Sequence, residues 1–435
     1  MIVSKFGGSS VASSEQFKKV KSIIMSDERR KIIVTSASGK ESPNDNKITD
    51  LLYLVHAHLQ YSVSFKELFS TIANRFIKIQ NDLNLKTNIQ IDLEEIEMGL
   101  TKRCPIDDLV SRGEYLTGIL LADYLGYKFV DAKDILWFNY DGSIDFDKTE
   151  MMVKNAINKY EKIVVPGFYG SMPDGNIHVM KRGGSDITGS ILARVCNAEV
   201  YENWTDVSGI LMADPRIIEN PKQIEKITYS ELRELSYMGA NVLHEDAIYP
   251  VKDSNIPILI LNTNDPSFKG TMICDKIIND ESKNMITGIA GKKDFTVITM
   301  YRHNASNEIG LLRKALEVFE KYKISVEHVP SGIDNFSIVV STKSVERFLY
   351  EIVSQLKQVT GSENVQVTNN LSLLAIVGRN MAKHVGVSGQ LFKTLGDYEI
   401  NIRMIAQGSD EINIIVGVEN EDFEKAIHVL YNSFA

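Results

Sequence analysis

The sequence predicts an α/β protein with a mainly parallel sheet between helices, followed by two ferredoxin-like α+β units. The first part is predicted by alternating strand-like apolar runs and amphipathic helices over residues 1–280. The second is predicted by the order β-α-β-β-α-β, which begins near residue 295 and then recurs. A short polar linker at residues 279–283 separates the two parts.

The N-terminal stretch places a glycine pair between a strand and a helix. The apolar pair Ile2 and Val3 predicts the first strand, and the spacing of Ser13 and Gln16 predicts a capped helix. Between them, residues 5–10 read KFGGSS. Glycines let backbone N–H groups approach an anion, and a helix N-terminus favours negative charge. The turn therefore predicts a phosphate site, with a plain tight turn as the alternative, and it lacks the Walker A pattern GxxxxGK[ST].

The other elements of the first part follow from apolar runs and helical periodicity. Strands are expected at residues 31–36, 127–131, 162–166, 198–203 and 257–261. Helices are expected at residues 49–59, 64–84, 90–101, 228–238 and 242–252. Residues 109–114 are expected to lead into a further helix that ends at about 124, and residues 181–186 to open one that runs through 193. The wholly helical stretch from about 48 to 104 interrupts the alternation, so we expect it to be an insertion.

The second part, residues 281–435, contains the repeated unit. Its first copy is expected as strands 295–301, 325–329, 336–341 and 364–367 with helices 308–322 and 344–357. The second copy is expected as strands 371–377, 400–405 and 411–417 with helices 386–396 and 421–432. This copy lacks a final strand, and a spare strand at 286–289 would fill the gap. We therefore expect the first unit, about 294–368, to be inserted in the second, about 284–293 plus 369–435.

Composition narrows the class of protein. The net charge of −9 and the absence of a basic run argue against a nucleic-acid partner. Three widely spaced cysteines suggest a reducing, cytoplasmic environment and form no metal-ligand cluster. No apolar stretch reaches the ~20 residues that a membrane span requires.

Glycine-bearing turns at residues 7–8, 113 and 183–184 are expected at strand ends. The ends of parallel strands gather at one sheet edge, where ligands bind. These glycines, together with a lysine and an arginine, would neutralise a polyphosphate. Asp186 and Asp206 are carboxylates that would orient those cations or assist Mg²⁺.

Together these motifs resemble the aspartokinases of the amino acid kinase family, which carry two C-terminal ACT domains. The matching segments are KFGGSS (5–10), SAS (36–38), SRGE (111–114), GGSD (183–186), WTDVSGI (204–210), DPR (214–216) and GANVLH (239–244). The resemblance spans essentially the whole chain. It implies an amino acid kinase-like catalytic domain at residues 1–280. The implied reaction is the ATP-dependent phosphorylation of the L-aspartate β-carboxylate, the first step towards lysine, threonine and methionine.

The resemblance also implies roles for individual residues. The implied catalytic residues are Lys5 and Asp186. The implied ATP and phosphate contacts are Lys5, Gly7, Gly8, Ser9, Gly183, Gly184, Thr205, Asp206 and Arg216. The implied aspartate contacts are Ser36, Thr49, Glu114, Arg182 and Ser185, of which Glu114 receives the α-ammonium and Arg182 a carboxylate. Mg²⁺ is carried by ATP, so no residue is assigned to it. The chain departs from the family at Asn241, where lysine is common, and at Glu245, where proline is usual.

For the second part, the resemblance implies two ACT domains that pair between chains in a homodimer or a dimer of dimers. It implies feedback inhibition by lysine, threonine or both, with the effector at Ser325, Val326 and Glu327. Two alternatives stay open. One is a kinase of the same fold that acts on glutamate, carbamate or a nucleotide, and the other is a catalytically idle amino-acid sensor.

Overall fold

The computed structural model describes residues 1–181, 183–240, 243, 245–277 and 284–435. The chain divides into two compact units. The first unit comprises Met1–Ile210, Glu225–Tyr229 and Asn241–Ile278, and the second comprises Leu211–Ile224, Ser230–Ala240 and Asn279–Ala435.

The strands of the first unit lie in one large sheet and one hairpin. In chain order they are β1 (Ile2–Phe6), β2 (Arg30–Thr35), β3 (Lys128–Phe129), β4 (Ile163–Pro166), β5 (Tyr169–Ser171), β6 (Ile177–Val179), β7 (Val200–Thr205), β8 (Lys226–Thr228), β9 (Ile258–Asn262) and β10 (Thr271–Cys274). Within the described ranges the sheet has the order β3-β4-β2-β1-β7-β9-β10-β8, and β5 and β6 form the hairpin. Its described pairings are parallel except for β9 with β10, which confirms the predicted mainly parallel sheet.

The helices agree in most places with the periodic segments of the sequence. Up to residue 252 they are α1 (Ser14–Met25), α2 (Ile48–Tyr61), α3 (Lys66–Asp82), α4 (Ile89–Gly99), α5 (Ile106–Val110), α6 (Arg112–Leu125), α7 (Ala132–Ile135), α8 (Phe146–Tyr160), α9 (Gly184–Val195), α10 (Tyr229–Tyr237) and α11 (Tyr249–Lys252). The Ser13 hydroxyl accepts the Gln16 N–H at 3.4 Å, so the predicted cap of α1 is present. The apolar faces of α1 to α6 share one core with β1, β2 and β4.

Three local predictions are wrong. Gly113 does not follow a strand: it lies in the first turn of α6, and the apolar pair before it belongs to α5. The glycine pair at 183–184 follows the β5–β6 hairpin instead of a strand of the large sheet. Residues 325–329 form no strand, and their pairing is an isolated bridge between His328 and Val339. In each case a local apolar run or a glycine was taken as evidence of a neighbouring strand, although strand formation depends on pairing that local sequence does not show.

The second unit is built on an antiparallel sheet. Its strands are β11 (Gly288–Tyr301), β12 (Asn335–Ser341), β13 (Asn364–Val377), β14 (Met404–Gln407) and β15 (Asn413–Glu419), and the described order is β12-β11-β13-β15-β14. Its helices are α12 (Leu311–Lys321), α13 (Thr342–Val345), α14 (Leu349–Thr360), α15 (Val387–Asp397) and α16 (Phe423–Phe434).

Two long strands join the predicted ferredoxin-like halves into one sheet. The start of β11, at residues 288–292, pairs with residues 373–377 of β13, and the rest of β11 pairs with β12 and with the start of β13. Segments that the sequence predicts as separate strands are thus continuous. Two antiparallel ferredoxin-like halves confirm the predicted fold class, whereas the domain limits stay a prediction. Across the part of the chain that the structure describes, every helix is too short or too polar to traverse a bilayer.

Candidate active site

Lys5 is the centre of the candidate site. It lies on β1 with only 6% of its surface exposed. Its Nζ is 2.5 Å from Oδ1 of Asp186 and donates to Oδ1 of Asn203 at 3.4 Å. A buried ammonium needs such partners, because burial without them strongly disfavours its charge. The structure therefore brings together the two residues that the sequence analysis names as catalytic.

The glycine turn lies directly beside this ammonium. A Cβ added at Gly7 would be 3.5 Å from Lys5 Nζ, and a Cβ added at Gly8 would be 3.0 Å from the Ala37 carbonyl oxygen. The Gly7 N–H donates to the Trp204 carbonyl at 2.9 Å, so Gly7 provides space for Lys5 instead of a free donor. The turn's first internal hydrogen bond runs from Ser10 N–H to Gly7 C=O. The N–H groups of Gly8 and Ser9 precede that bond and are the turn's candidate phosphate donors.

The loop after β2 packs against the glycine turn. The Gly39 N–H donates to the Gly8 carbonyl at 2.9 Å, and a Cβ at Gly39 would lie 2.6 Å from the Gly8 carbonyl carbon. Ser36 is half-buried at the end of β2, where its N–H donates to the Phe6 carbonyl at 3.1 Å. Thr49 is half-buried in the first turn of α2. Both predicted aspartate contacts therefore flank this loop.

A buried arginine holds the longer loop that follows. Arg75, on α3, donates to the carbonyls of Gly39 at 2.8 Å and Asn46 at 3.1 Å and pairs with Asp45 at 2.5 Å. Its side chain is 7% exposed. A residue of the helical insertion thus holds the loop at 39–47, which connects the turn at Gly39 to the start of α2.

Glu114 is a buried carboxyl group with spare capacity for a hydrogen bond. It is 5% exposed, in the first turn of α6. Burial raises the pKa of Glu114 to about 8, although N–H donation from Ala37 and from its own backbone acts in the opposite direction. Among the described residues Oε2 has no hydrogen-bond partner. A substrate ammonium would supply one.

The start of α9 places Ser185 and Asp186. Gly183 has φ +80°, a conformation that favours glycine, and a Cβ at Gly184 would lie 2.6 Å from the Phe168 ring. Ser185 is 8% exposed. The glycine turns predict that Arg182 converges with Lys5, but Arg182, like Asn241, lies outside the described residues.

The predicted nucleotide contacts fall in two places. Thr205 is the last residue of β7 and Asp206 follows it, and the Thr205 hydroxyl donates to Asp206 Oδ1 at 3.2 Å. β7 neighbours β1, so these residues lie at the Lys5 end of the sheet. Arg216 belongs to the second unit, where it is largely exposed and pairs with Asp214 at 2.5 Å.

The predicted effector residues Ser325, Val326 and Glu327 also belong to the second unit. The Glu327 N–H donates to the Val339 carbonyl at 2.9 Å, and its carboxylate accepts the Tyr237 hydroxyl. Burial, followed by this bond to Glu327, raises the pKa of Tyr237 above its usual value. The effector segment is therefore tied to helix α10.

Sequence reasoning missed Asn203. This residue is 3% exposed on β7, and it pairs in register with Lys5 on β1. Its Nδ2 donates to Asp186 Oδ1 at 2.9 Å. The two strands are far apart in sequence, so only knowledge of the strand order would have revealed the contact.

A separate cavity of about 590 Å³ lies between the helical insertion and the β5–β6 hairpin. Arg112 and Asp108 line it, and Lys5 and Glu114 do not. Arg112 Nε donates to the Asp108 carbonyl at 3.1 Å. Arg112 thus faces a different space from the neighbouring Glu114.

Comparisons with known proteins match both parts of the chain. The profile of the Amino acid kinase family matches residues 1–262, and an ACT domain profile matches residues 374–434. Aspartokinase 3 of Bacillus subtilis (strain 168) is 35% identical over 452 aligned residues, covering 100% of this chain and 98% of that protein.

Solved structures show the same likeness. Clostridium acetobutylicum aspartate kinase, described as an allosteric enzyme, has a TM-score of 0.95 and 48% identity, with 100% of both chains covered. Aspartokinase III of E. coli was solved with aspartate and ADP, at a TM-score of 0.74 and 26% identity, with 100% of this chain and 99% of that chain covered. The same protein was also solved with lysine and aspartate, and that structure has a TM-score of 0.76 and 27% identity, with 100% of both chains covered.

Proposed function

The chain belongs to the amino acid kinase family and, within it, to the aspartokinases, and we propose that it transfers the γ-phosphoryl group of ATP to the β-carboxylate of L-aspartate. The product would be 4-phospho-L-aspartate. The observation that carries the proposal is that the short loop after β2 contacts both the aspartate side of the site, beside Glu114, and the phosphate side, at the glycine turn. Ala37 Cβ packs against Gly113, the neighbour of Glu114, where an added Cβ would lie 2.9 Å away, and the Ala37 carbonyl lies beside Gly8 of the turn next to Lys5.

The chemistry requires two anions to meet, and it needs no general base. A free aspartate side chain has a pKa of about 3.9, so the nucleophile is already ionised at neutral pH. In our proposal the Lys5 ammonium stabilises charge on the transferring group, and the Gly8 and Ser9 amides bind phosphate oxygens. Asp186 holds Lys5 in position.

On the aspartate side, Glu114 would bind the α-ammonium and Arg182 a carboxylate. Ser36, Thr49 and Ser185 would complete the pocket. The buried, unpartnered Oε2 of Glu114 supports this assignment, because a bound ammonium would give that oxygen a donor.

On the nucleotide side, we propose contacts from Thr205, Asp206 and Arg216, together with Gly183 and Gly184. E. coli aspartokinase III was solved with ADP, which supports the use of an adenine nucleotide.

Mg²⁺ fits this site as a partner of the phosphates. In the described part of the chain, no group of three or more His, Cys, Asp or Glu side chains is placed to hold a metal ion. The Asp186 oxygen near Lys5 is already shared by an ammonium and an amide. We propose that Mg²⁺ arrives with ATP, where it neutralises phosphate charge.

We propose that residues 1–280 form the catalytic domain, with a helical insertion at about 48–104. Residues 281–435 would form two ACT domains, the first at about 294–368 and the second at 284–293 plus 369–435. The pairing of residues 288–292 with 373–377 supports this division. ACT domains pair between chains, so we propose a homodimer or a dimer of dimers.

The effector would bind at Ser325, Val326 and Glu327. Lysine is the first candidate, since E. coli aspartokinase III was solved with it, and threonine is the second. An effector ammonium at Glu327 would compete with the Tyr237 hydroxyl for the carboxylate. The contact between α10 and the effector segment would therefore change on binding.

The test is ADP release by the full chain with ATP, Mg²⁺ and L-aspartate, with hydroxylamine trapping of the acyl phosphate. We expect aspartate-dependent turnover, and inhibition when lysine or threonine is added. Turnover with glutamate, carbamate or a nucleotide in place of aspartate would identify another kinase of the same fold. Amino-acid binding without turnover on any substrate would identify an idle sensor.

A further inference from the structure

Asn203 closes a triangle of side chains around the Lys5 ammonium. Lys5 comes from β1, Asn203 from β7 and Asp186 from the first turn of α9. Lys5 Nζ contacts Asp186 Oδ1 at 2.5 Å and Asn203 Oδ1 at 3.4 Å, and Asn203 Nδ2 donates to Asp186 Oδ1 at 2.9 Å. We infer that Asn203 is a positioning residue for phosphoryl transfer, which fixes the Asp186 carboxylate and the Lys5 ammonium relative to each other.

The chemistry of the partners sets the orientation of the Asn203 amide. A carboxylate only accepts hydrogen bonds and an ammonium only donates them. Between them, the bridging group must donate on one side and accept on the other. The amide does both while staying neutral, so its Nδ2 faces Asp186 and its Oδ1 faces Lys5.

This arrangement leaves the ammonium ready for a phosphate. An ammonium has three N–H groups, and Asp186 and Asn203 accept two of them. The third is left for a substrate oxygen, and Nζ lies beside the glycine turn. Without the amide, Asp186 Oδ1 would lose one of its two donors, and the carboxylate would be free to rotate together with the ammonium that it holds.

The neutral charge of Asn203 is also part of its role. Lys5 and Asp186 together carry no net charge, and the amide adds none. A carboxylate at position 203 would give the cluster a negative charge, which would repel the incoming phosphates. An apolar residue of the same size would leave the net charge of the cluster at zero but remove both hydrogen bonds.

Two variants separate these effects, measured in the full-length protein with ATP and L-aspartate. Asn203→Leu should lower kcat about 10- to 150-fold, the range for losing the shorter of the two hydrogen bonds, the one to the Asp186 carboxylate, with a smaller change in both KM values. The matched control is Ser4→Ala. Ser4 neighbours Lys5 on β1, and its hydroxyl donates to the buried Glu202 at 2.8 Å. Adjacent strand residues point to opposite faces, so this control should lower Tm and leave kcat unchanged.

Asn203→Asp provides a signature that a merely structural role would not produce. Two carboxylates in one site raise the pKa of one of them. A protonated carboxyl group donates and accepts as the amide does. The ratio of variant to wild-type kcat should therefore rise as pH falls from 8.5 to 6, by at most about tenfold per pH unit.

The inference rests on the proposed kinase activity, but the two fail in different ways. A wild-type chain without aspartate-dependent ADP release would overturn the proposed function. An active wild type with an unchanged kcat in Asn203→Leu, or with a flat kcat ratio in Asn203→Asp, would overturn the role of Asn203 alone. If the leucine variant does not fold, the aspartate variant, which has the same size, decides by its pH profile.

Discussion

Aspartate binding should release a proton near neutral pH, because Glu114 changes its ionisation. Burial raises the pKa of Glu114 to about 8, so in the protein without aspartate the Glu114 carboxyl group is mainly protonated and neutral at pH 7. The substrate ammonium pairs with the charged carboxylate and therefore selects the deprotonated form. Since the neutral form prevails below the raised pKa, aspartate affinity should strengthen as pH rises.

The magnitude follows from the raised pKa. With a pKa of about 8, about one molecule in eleven has a charged Glu114 at pH 7, so the apparent Kd should be about elevenfold weaker than at high pH. The apparent Kd should fall about eightfold between pH 6.5 and 7.5. Binding at pH 7 should release about 0.9 proton, provided that the pKa in the complex lies well below 7.

Isothermal titration calorimetry in two buffers of different ionisation enthalpy measures both the apparent Kd for aspartate and the number of protons released on binding. Glu114→Gln should bind aspartate weakly, without proton release and without the pH dependence. Asp92→Asn is the matched control, because burial also raises the pKa of Asp92 but its carboxylate accepts from Tyr115 at 3.2 Å and has no assigned role in binding aspartate. Proton release near zero in the wild type, or equal release in Glu114→Gln, would refute the assignment of Glu114 to the ammonium.

Three further substitutions test other parts of the site. Lys5→Ala should lower kcat by roughly 10²–10³-fold or more in the ADP-release assay, and near-normal turnover would remove Lys5 from the mechanism. Gly39→Ala should lower both Tm and activity, because its Cβ would clash with the neighbouring turn, whereas Gly99→Ala meets nothing within 4 Å and should behave as wild type. Arg75→Leu should lower the free energy of unfolding by about 3 kcal/mol, because it breaks the pair with Asp45. It should also raise the aspartate KM and speed proteolysis at residues 40–47. An unchanged KM would show that the loop does not shape the pocket.

The regular elements could be predicted because their signals are local. The cap at Ser13 and the apolar stripe of α1 are both visible in twelve residues of sequence. Helix α8, Phe146–Tyr160, was not expected, and the structure shows why: its fully buried residues are Thr149 and Val153, so its apolar stripe is narrow. The predicted strand at 325–329 has the alternation of a strand but makes only a bridge, because strand pairing depends on the adjacent strand in the fold and not on local sequence alone.

The candidate site was predictable only where a motif names the residue. Lys5, Glu114 and Asp186 come from segments that match a known family, and the structure brings Lys5 and Asp186 into contact. Asn203 has no such signal, because its role depends on β7 lying next to β1 across 198 residues of sequence. Strand order is a property of the whole sheet, and local periodicity does not determine it.

The charges of the site explain how an acidic protein can accept two anions. The chain has a net charge of −9. In the free state near neutral pH, Lys5 contributes +1, Asp186 −1 and the mainly protonated Glu114 about 0, so these three groups sum to about zero. When aspartate binds as we propose, Glu114 would become charged and its ammonium partner would cancel that charge. In our proposal, attraction for the phosphates therefore comes from the backbone N–H groups of the glycine turn and from the Mg²⁺ that accompanies ATP.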